Sequence, residues 1–229
     1  ASGTTFLELS ATKFKQIPFP ITSIEEQNRI VEQIEELFSQ LNNSSKELIK
    51  SKELTHKLIK KTIFNLFDKI KKSEPLYKLA KISMGQSPNS ETYNNNGNGM
   101  PFFQGKKEFG KMYPVIEKWT TNPIRIAKKN DVLMSVRAPV GDVNIATLDC
   151  CIGRGLCAIS FNGYHKFLFY YLDSIKNKIN SLGTGSTFNS ISKEIIEKIN
   201  IPSINFDEQV SLINELESKI DIYENIIIE

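Results

Sequence analysis

No apolar run in this chain approaches the roughly 18 residues that span a bilayer, and no secretory leader opens it, so neither a membrane span nor an export route is expected. Cysteine is scarce: Cys150, Cys151 and Cys157 lie within eight residues. Adjacent cysteines bridge poorly and this spacing fits no zinc pattern, so buried free thiols in a reducing cytoplasm are expected. Histidine is scarcer still, with His56 in a lysine-rich stretch and His165 at a helix start, neither beside a catalytic neighbour. There is no phosphate-cradling glycine loop, nucleophile elbow, HExxH or acidic cluster with metal spacing. Those gaps argue against an enzyme and against a cofactor or metal held by this chain.

Proline and glycine are both missing from residues 24–71, and what fills that space is helical. Ile30, Ile34, Leu37, Leu41 and Leu48 recur at steps of three, four and seven, with Leu58 placed in the same register. This is the seam of a helix that lies along another helix. It would run roughly 70 Å, far beyond what a domain of this size needs. Ser23 is its N-cap, Glu25 and Glu26 suit its positive end, Glu26 completes a capping box, and lysines near Lys71 and Lys72 suit its negative end. Ser44, Ser51 and Thr55 thin the seam at its centre.

The chain's net charge of +3 hides a sorting by segment. Residues 23–41 carry −4, residues 42–72 carry +6, residues 73–205 carry +6 and residues 206–229 carry −6. A second amphipathic helix is expected from Phe206 on, with Ile213, Leu216, Ile220 and Tyr223 on its apolar stripe. Its acidic flanks complement the basic second half of the long helix, which predicts antiparallel pairing of the two. The acidic first half is then left without a partner in the chain, which predicts another subunit or a second copy against it.

Between the helices the texture is that of a mixed α+β domain. Strand-like runs are Tyr77–Met84, Met100–Gln104, Ile124–Ala127, Val132–Arg137, Val143–Ala146 and Leu156–Ser160; Ser87–Gly99 is a polar loop. Tyr164–Leu182 is expected as one helix and Gly183–Ser190 as a loop. At the N-terminus, Lys13–Ile17 is expected as a short strand and Phe19-Pro20 as a stop.

Sliding the sequence on itself by 182 residues exposes a repeat. Gly3–Ser10 lies over Gly185–Ser192, Ile17 over Ile199, Pro20 over Pro202, Glu26-Gln27 over Glu208-Gln209, and Glu35 over Glu217, without a gap. Residues 1–22 are therefore expected to be the tail of a preceding domain, 23–72 the spacer helix, 73–205 a complete globular domain, and 206–229 the equivalent helix cut short. The parent design has two globular domains, each followed by a helix, and the opening on Ala1 rather than methionine suits a piece of something longer.

The basic domain suggests nucleic acid. Its expected loops hold Lys106, Lys107, Lys111, Arg137 and Arg154 beside Gln86, Ser87 and Gln104. Lysine and arginine neutralise phosphates, while arginine and glutamine make paired hydrogen bonds to base edges. The small-residue loop with Thr184, Ser186 and Asn189 suits backbone contacts to phosphate. Ordinary solvated charge is the plainer explanation, with Arg137 braced internally by a carboxylate such as Asp142. A coiled-coil protein-binding scaffold is the rival class.

The repeat of domain and helix, with the stretches Ile17–Pro20, Glu25–Val31, Ser83–Pro88, Pro101–Lys106, Ser135–Gly141, Cys151–Gly155 and Gly185–Phe188, together resembles the DNA-specificity subunit of Type I restriction–modification systems. Ile17–Pro20 followed by Glu25–Val31, degenerately repeated at Ile201-Pro202 and Asp207–Gln209, looks like that family's junction of recognition domain and helix. Ser83–Pro88, Pro101–Lys106, Ser135–Gly141, Cys151–Gly155 and Gly185–Phe188 look like one class of its recognition domains. The resemblance covers the whole chain but shows one complete recognition domain where the family has two. It implies an α+β target-recognition domain inserted between two long antiparallel coiled-coil helices, and a non-catalytic role in reading one half of a split target in double-stranded DNA. It also implies docking of methyltransferase subunits, which carry the S-adenosylmethionine, and of a restriction subunit through the assembled complex. The alternative within the family is a half-length subunit that works as a homodimer on a palindromic split site.

Overall fold

The computed structural model describes residues 10–18, 20–183 and 190–225. The chain divides into two units, Ala1–Lys52 and Glu53–Glu229. In the first, a single helical turn α1 (Ala11–Phe14) precedes the start of the long helix α2 (Ile24–Asp68), which ends in the second. α1 stands where a strand was expected. Ser10 decides the matter: its hydroxyl accepts the backbone N–H of Lys13 at 3.4 Å and caps the turn. Ser23 caps α2 likewise, accepting from Glu26 N–H at 3.3 Å. The other half of the expected capping box does not form, because the Glu26 carboxylate takes Arg29 at 2.7 and 2.6 Å instead. Along this unit Ile30, Ile34, Leu37, Leu41 and Leu48 are all exposed, Leu37 to 64%.

In the second unit α2 closes at Asp68, whose carbonyl accepts from the Lys71 ammonium at 3.2 Å, a lysine satisfying an orphaned helix carbonyl. Then follow β1 (Ser73–Pro75), the turn α3 (Leu76–Leu79), β2 (Ala80–Met84), β3 (Tyr93–Asn94) and β4 (Met100–Phe103). Next come β5 (Trp119–Thr120), β6 (Ile126–Ala127), β7 (Val132–Ser135), β8 (Val143–Ile145), β9 (Cys150–Ile152) and β10 (Leu156–Phe161). The chain ends through α4 (His165–Ser174), α5 (Lys176–Ser181), α6 (Lys193–Glu197), β11 (Asn200–Pro202) and α7 (Phe206–Asn225). The expected strand from Tyr77 thus begins only at Ala80. Leu76, fully buried, donates its N–H to Ile199 O at 2.8 Å and holds the preceding turn helical. The expected single helix over 164–182 breaks at Ile175, where the Ser174 hydroxyl donates to the Tyr171 carbonyl at 2.6 Å and competes with the helix ladder.

Two sheets carry the domain, in strand orders β2-β10-β7-β8 and β3-β5-β4-β9-β6, the second with one parallel pair, β4 with β9. Strand alternation builds two cores from one sheet. Val132, Met134, Cys157 and Ile159 face a large cluster with Phe167, Leu168 and Leu172 of α4; Leu133, Leu156 and Ala158 face a smaller one with Phe103, Cys150 and Ile152 of the other sheet. The three thiols are buried and unbridged. β1 pairs antiparallel with β11, setting Ser73 opposite Pro202, so the ways into and out of the domain are adjacent.

That adjacency sends α7 back past the end of α2. Ile213, Leu216 and Ile220 join Ile63 and Phe67 in the large core. Glu215 feels the charge of Lys69, whereas Ile220 and Glu224 share a cleft with His56 and Ile59, so numbering rises along α7 as it falls along α2. Leu58 is not part of this contact: it is 45% exposed while Ile63 is 4% exposed. Nine residues separate Leu58 from buried Phe67, about two and a half turns, which puts it on the opposite face. Here the core-facing stripe is buried Ile63 and Phe67 with partly buried Ile59, Leu66 and Ile70. The acidic side chains of α7 also find other partners than expected. Glu217 takes Lys166 at 2.8 Å and the Tyr170 hydroxyl at 3.2 Å, and Glu224 takes Lys111.

The 182-residue repeat is visible in hydrogen bonds. Gln27 donates its side-chain amide to Thr22 O at 2.8 Å, five residues back, and Gln209 donates to Ile204 O at 3.0 Å in the same way. Ser23 caps α2 as Asn205 caps α7, the latter in a full box with Glu208 at 2.9 and 3.0 Å. Even α1 has its counterpart in α6, which starts after Ser192. Gln209 adds one contact: its carbonyl oxygen accepts Tyr164 N–H at 2.8 Å at the start of α4, fastening α7 to the globular domain.

Candidate nucleic-acid interface

Three sequence-distant stretches converge beyond the ends of β2, β4 and β9. Gly85 and Gln86 donate their N–H groups to Leu156 O at 2.9 Å and Ile152 O at 3.0 Å. Gly153 donates to Phe103 O at 2.8 Å and Gly155 to Gln104 O at 3.2 Å. The Ser87 hydroxyl accepts Arg154 N–H at 3.2 Å. Only glycine fits the crossing. A Cβ on Gly85 would fall 2.1 Å from Gly153 O, and one on Gly155 would fall 2.6 Å from Gln104 O. These close approaches set Gln86, Ser87, Gln104 and Arg154 side by side, with all but the half-buried Ser87 exposed.

A fourth stretch joins them. Val136 donates to Gly155 O at 2.9 Å and accepts from Ile191 N–H at 3.1 Å, and Arg137 bridges Ser190. Arg137 therefore stands exposed next to this rim. Thr184, Ser186 and Asn189 lie outside the described residues, in the segment that leads into Ser190.

The lysines divide. Lys106 reaches Asp142 at 2.9 Å and Lys107 reaches Glu117 at 3.8 Å. Lys111 is turned to Glu224 of α7 and belongs to a different face, a cleft of about 440 Å³ shared with Ile63, Tyr170 and Ile220. Asp142 braces Lys106 and Lys176, not Arg137. Among the described residues Arg137 and Arg154 make no ion pair, which leaves their guanidinium groups available to a ligand.

Two cations of this rim escaped notice in the sequence. Arg125 is exposed and gives its carbonyl to Ile152 N–H at 2.9 Å, two residues before Arg154. Lys118 lies 5.5 Å from the centroid of the Tyr93 ring, which packs on Phe102 at 4.8 Å. Burial raises the Tyr93 hydroxyl above its ordinary value, and the charge of Arg154 works against that rise. The signal for both is strand pairing across long separations, which no local pattern carries.

This surface is polar, positively charged and built on hydrogen-bonded strand ends. Its arginines and glutamines can make paired hydrogen bonds, and its cations can pair with anionic groups. Among the described residues no cluster of histidine, cysteine or carboxylate side chains is placed to hold a metal, and no helix is long and apolar enough to cross a membrane.

Comparison with known proteins places the geometry in a family. Residues 71–229 match the Type I restriction modification DNA specificity domain. A putative type I restriction enzyme MjaX specificity subunit from Methanocaldococcus jannaschii is 39% identical over 236 aligned positions, covering 94% of this chain and 55% of the relative. A solved chain from work on complex assembly and conformational transition of the type I R-M system superposes with a TM-score of 0.80 at 33% identity, covering 90% of this chain and 54% of that one. The HsdS subunit from Thermoanaerobacter tengcongensis follows at a TM-score of 0.65 and 29% identity, covering 100% and 60%. The chain thus spans little more than half the length of these relatives. The mixed helix-and-sheet fold and the matched model agree, and the chain belongs to the family of Type I restriction–modification DNA specificity domains.

Proposed function

We propose that this chain reads one half of a bipartite DNA target for a Type I restriction–modification complex. The observation that carries it is the convergence of Gln86, Gln104, Arg137 and Arg154, the two arginines without an ion pair among the described residues, on one glycine-tightened rim. In this role the rim enters a groove, Arg137 and Arg154 read base edges, and Arg125, Lys107 and Lys118 meet phosphates. The segment holding Thr184, Ser186 and Asn189 would add phosphate contacts.

The chain does no chemistry itself. S-adenosylmethionine belongs to methyltransferase subunits that dock along α2 and α7, and a restriction subunit joins through the assembled complex. Ile213, Leu216, Ile220 and Tyr223 with the last turns of α2 form the antiparallel coiled-coil part of that scaffold.

A second reading has its own support. Ile30, Ile34, Leu37 and Leu41 stay exposed on α2, and the last three with Phe38 line an apolar groove of about 220 Å³. Two copies paired along this face would read a palindromic split site, since the symmetry of protein and target match. Sedimentation equilibrium of the chain alone separates the two: a dimer at micromolar concentration supports pairing of copies, and a monomer speaks for other subunits.

The test of DNA reading is a titration with a random duplex across a salt series. Binding that weakens steeply and linearly in log salt supports the proposal. A protein scaffold would show no such slope.

A further inference from the structure

β7 and β8 are joined by a loop, residues 136–141, whose tip is exposed at Arg137, Ala138 and Pro139 and whose return, Val140 and Gly141, is buried. Ser135 and Asp142 close its base. Ser135 N–H donates to Asp142 O at 2.8 Å, and Gly141 N–H donates to Ser135 O at 2.9 Å. The Ser135 hydroxyl accepts Asp142 N–H at 2.9 Å and donates to Pro139 O at 2.8 Å. The backbone of Asp142 is thereby spent on the loop, and its carboxylate is left for other elements.

That carboxylate, 15% exposed, holds two ammonium groups. Oδ1 takes Lys176 at the start of α5. Oδ2 lies 2.9 Å from Lys106, an ion pair without a directed hydrogen bond. Lys106 sits two residues beyond Gln104. One side chain therefore ties together the Arg137 loop, the Gln104 strand end and α5.

We infer that Asp142 is the positioning residue for base reading by Arg137, and that it withholds Lys106 and Lys176 from phosphate backbones. The inference rests on the DNA-reading role proposed above. A rim that contacts bases gains specificity when its arginine is held in one place. It also gains when nearby lysines are kept from binding any sequence indiscriminately. Asp142 serves both ends.

Fluorescence anisotropy of the full chain with its half-site duplex and a scrambled duplex, across roughly 50–300 mM salt, tests this. Asp142→Asn keeps the shape of the side chain and removes its charge. It is expected to lower the preference for the half-site about tenfold, within the range for losing one base-reading arginine. At low salt it should tighten scrambled-duplex binding, and it should steepen the log–log salt slope by about one to two as two lysines are released. Arg137→Ala should lower the preference similarly, and the double variant should go little further, because both act through one contact. Asp142→Glu, which keeps the charge, should restore most of the preference. An Asp142→Asn protein with unchanged preference overturns the inference alone. So does one whose affinities for both duplexes fall together with its melting temperature, since that marks a purely structural role. A wild-type chain with no preference for any duplex overturns the DNA-reading role and this inference with it.

Discussion

Replacing Gly85 by alanine tests the crossing that shapes the rim. The added Cβ meets the Gly153 carbonyl at 2.1 Å and the Leu156 carbonyl at 2.8 Å, and both are backbone atoms that no rotamer change can move aside. Ordinary contact needs a separation more than about 1 Å larger, so the 83–88 and 151–156 stretches must part. Overpacking of this kind costs about 1–3 kcal/mol. The two hydrogen bonds that hold the stretches together, Gly85 to Leu156 and Gln86 to Ile152, contribute about 0.5–1.5 kcal/mol each and stretch or break. A loss of about 2–6 kcal/mol follows, or about 4–24 °C in melting temperature for a unit of this size. Gly105 is the matched control. It stands beside Gln104 with φ −172°, an extended backbone open to any residue, and a Cβ there meets nothing within 4 Å. Gly105→Ala should melt within about 1 °C of wild type, in the range of ordinary surface substitutions. Thermal unfolding followed by circular dichroism decides it. A Gly85→Ala protein as stable as Gly105→Ala would refute the close approach and the convergence built on it.

Other outcomes follow from the same geometry. Arg154→Ala, like Arg137→Ala, should cost about 1–3 kcal/mol of specific binding and relax discrimination at one base position, measured by competition with single-substitution duplexes. An unchanged target preference would remove these residues from the reading surface. Gln209→Ala leaves the Tyr164 N–H and Ile204 carbonyl without partners beside a buried side chain and should cost about 2–4 kcal/mol of stability; its repeat counterpart Gln27→Ala, exposed, should cost under about 1 kcal/mol. Burial pushes the Cys150 and Cys157 thiols up to about 12, so at pH 8 roughly one in ten thousand is thiolate and Ellman's reagent should label neither until the fold opens. The sign of the linked stability is fixed by the same shift. These thiols ionise more readily unfolded than folded, so the stability they lend is intact below about pH 8.5 and is lost as pH rises toward 12.

Local signals in the sequence held up where local physics governs the outcome. Ser23 caps its helix because a short polar side chain meets a free N–H three residues on, and that is written within four residues. The repeat was legible for the same reason and returned as matching hydrogen bonds at Gln27 and Gln209. Leu58 shows the opposite case. Seven-residue steps kept it on the seam, but a straight helix with 3.6 residues per turn carries it to the far face by the time Phe67 is buried. Strands of two or three residues such as β3, β5 and β9 went unseen, because pairing rather than pattern makes them strands. At the candidate site the arginines and glutamines were visible as types in loops. Which of them meet was decided by Gly85, Gly153 and Gly155 crossing between strands far apart in sequence. The lysines were sorted by carboxylates equally remote: Asp142 for Lys106, Glu224 for Lys111.

Charge sorting was also only partly informative. The acidic C-terminal helix was expected to pair with the basic half of α2, and Ile213, Leu216 and Ile220 do share one core with Ile63 and Phe67. Its carboxylates, however, reach Lys166 and Lys111 of the globular domain. Net charge by segment states that complementarity exists without stating which surface uses it.

In the proposed role this chain chooses a DNA sequence on behalf of a methyltransferase subunit. Mapping of adenine methylation in a host that expresses the chain together with its methyltransferase subunit tests it most directly. A split motif with a fixed gap is expected, one half of which changes or vanishes when Arg137 and Arg154 are replaced. Methylation that is absent, unsplit or indifferent to those replacements would contradict it.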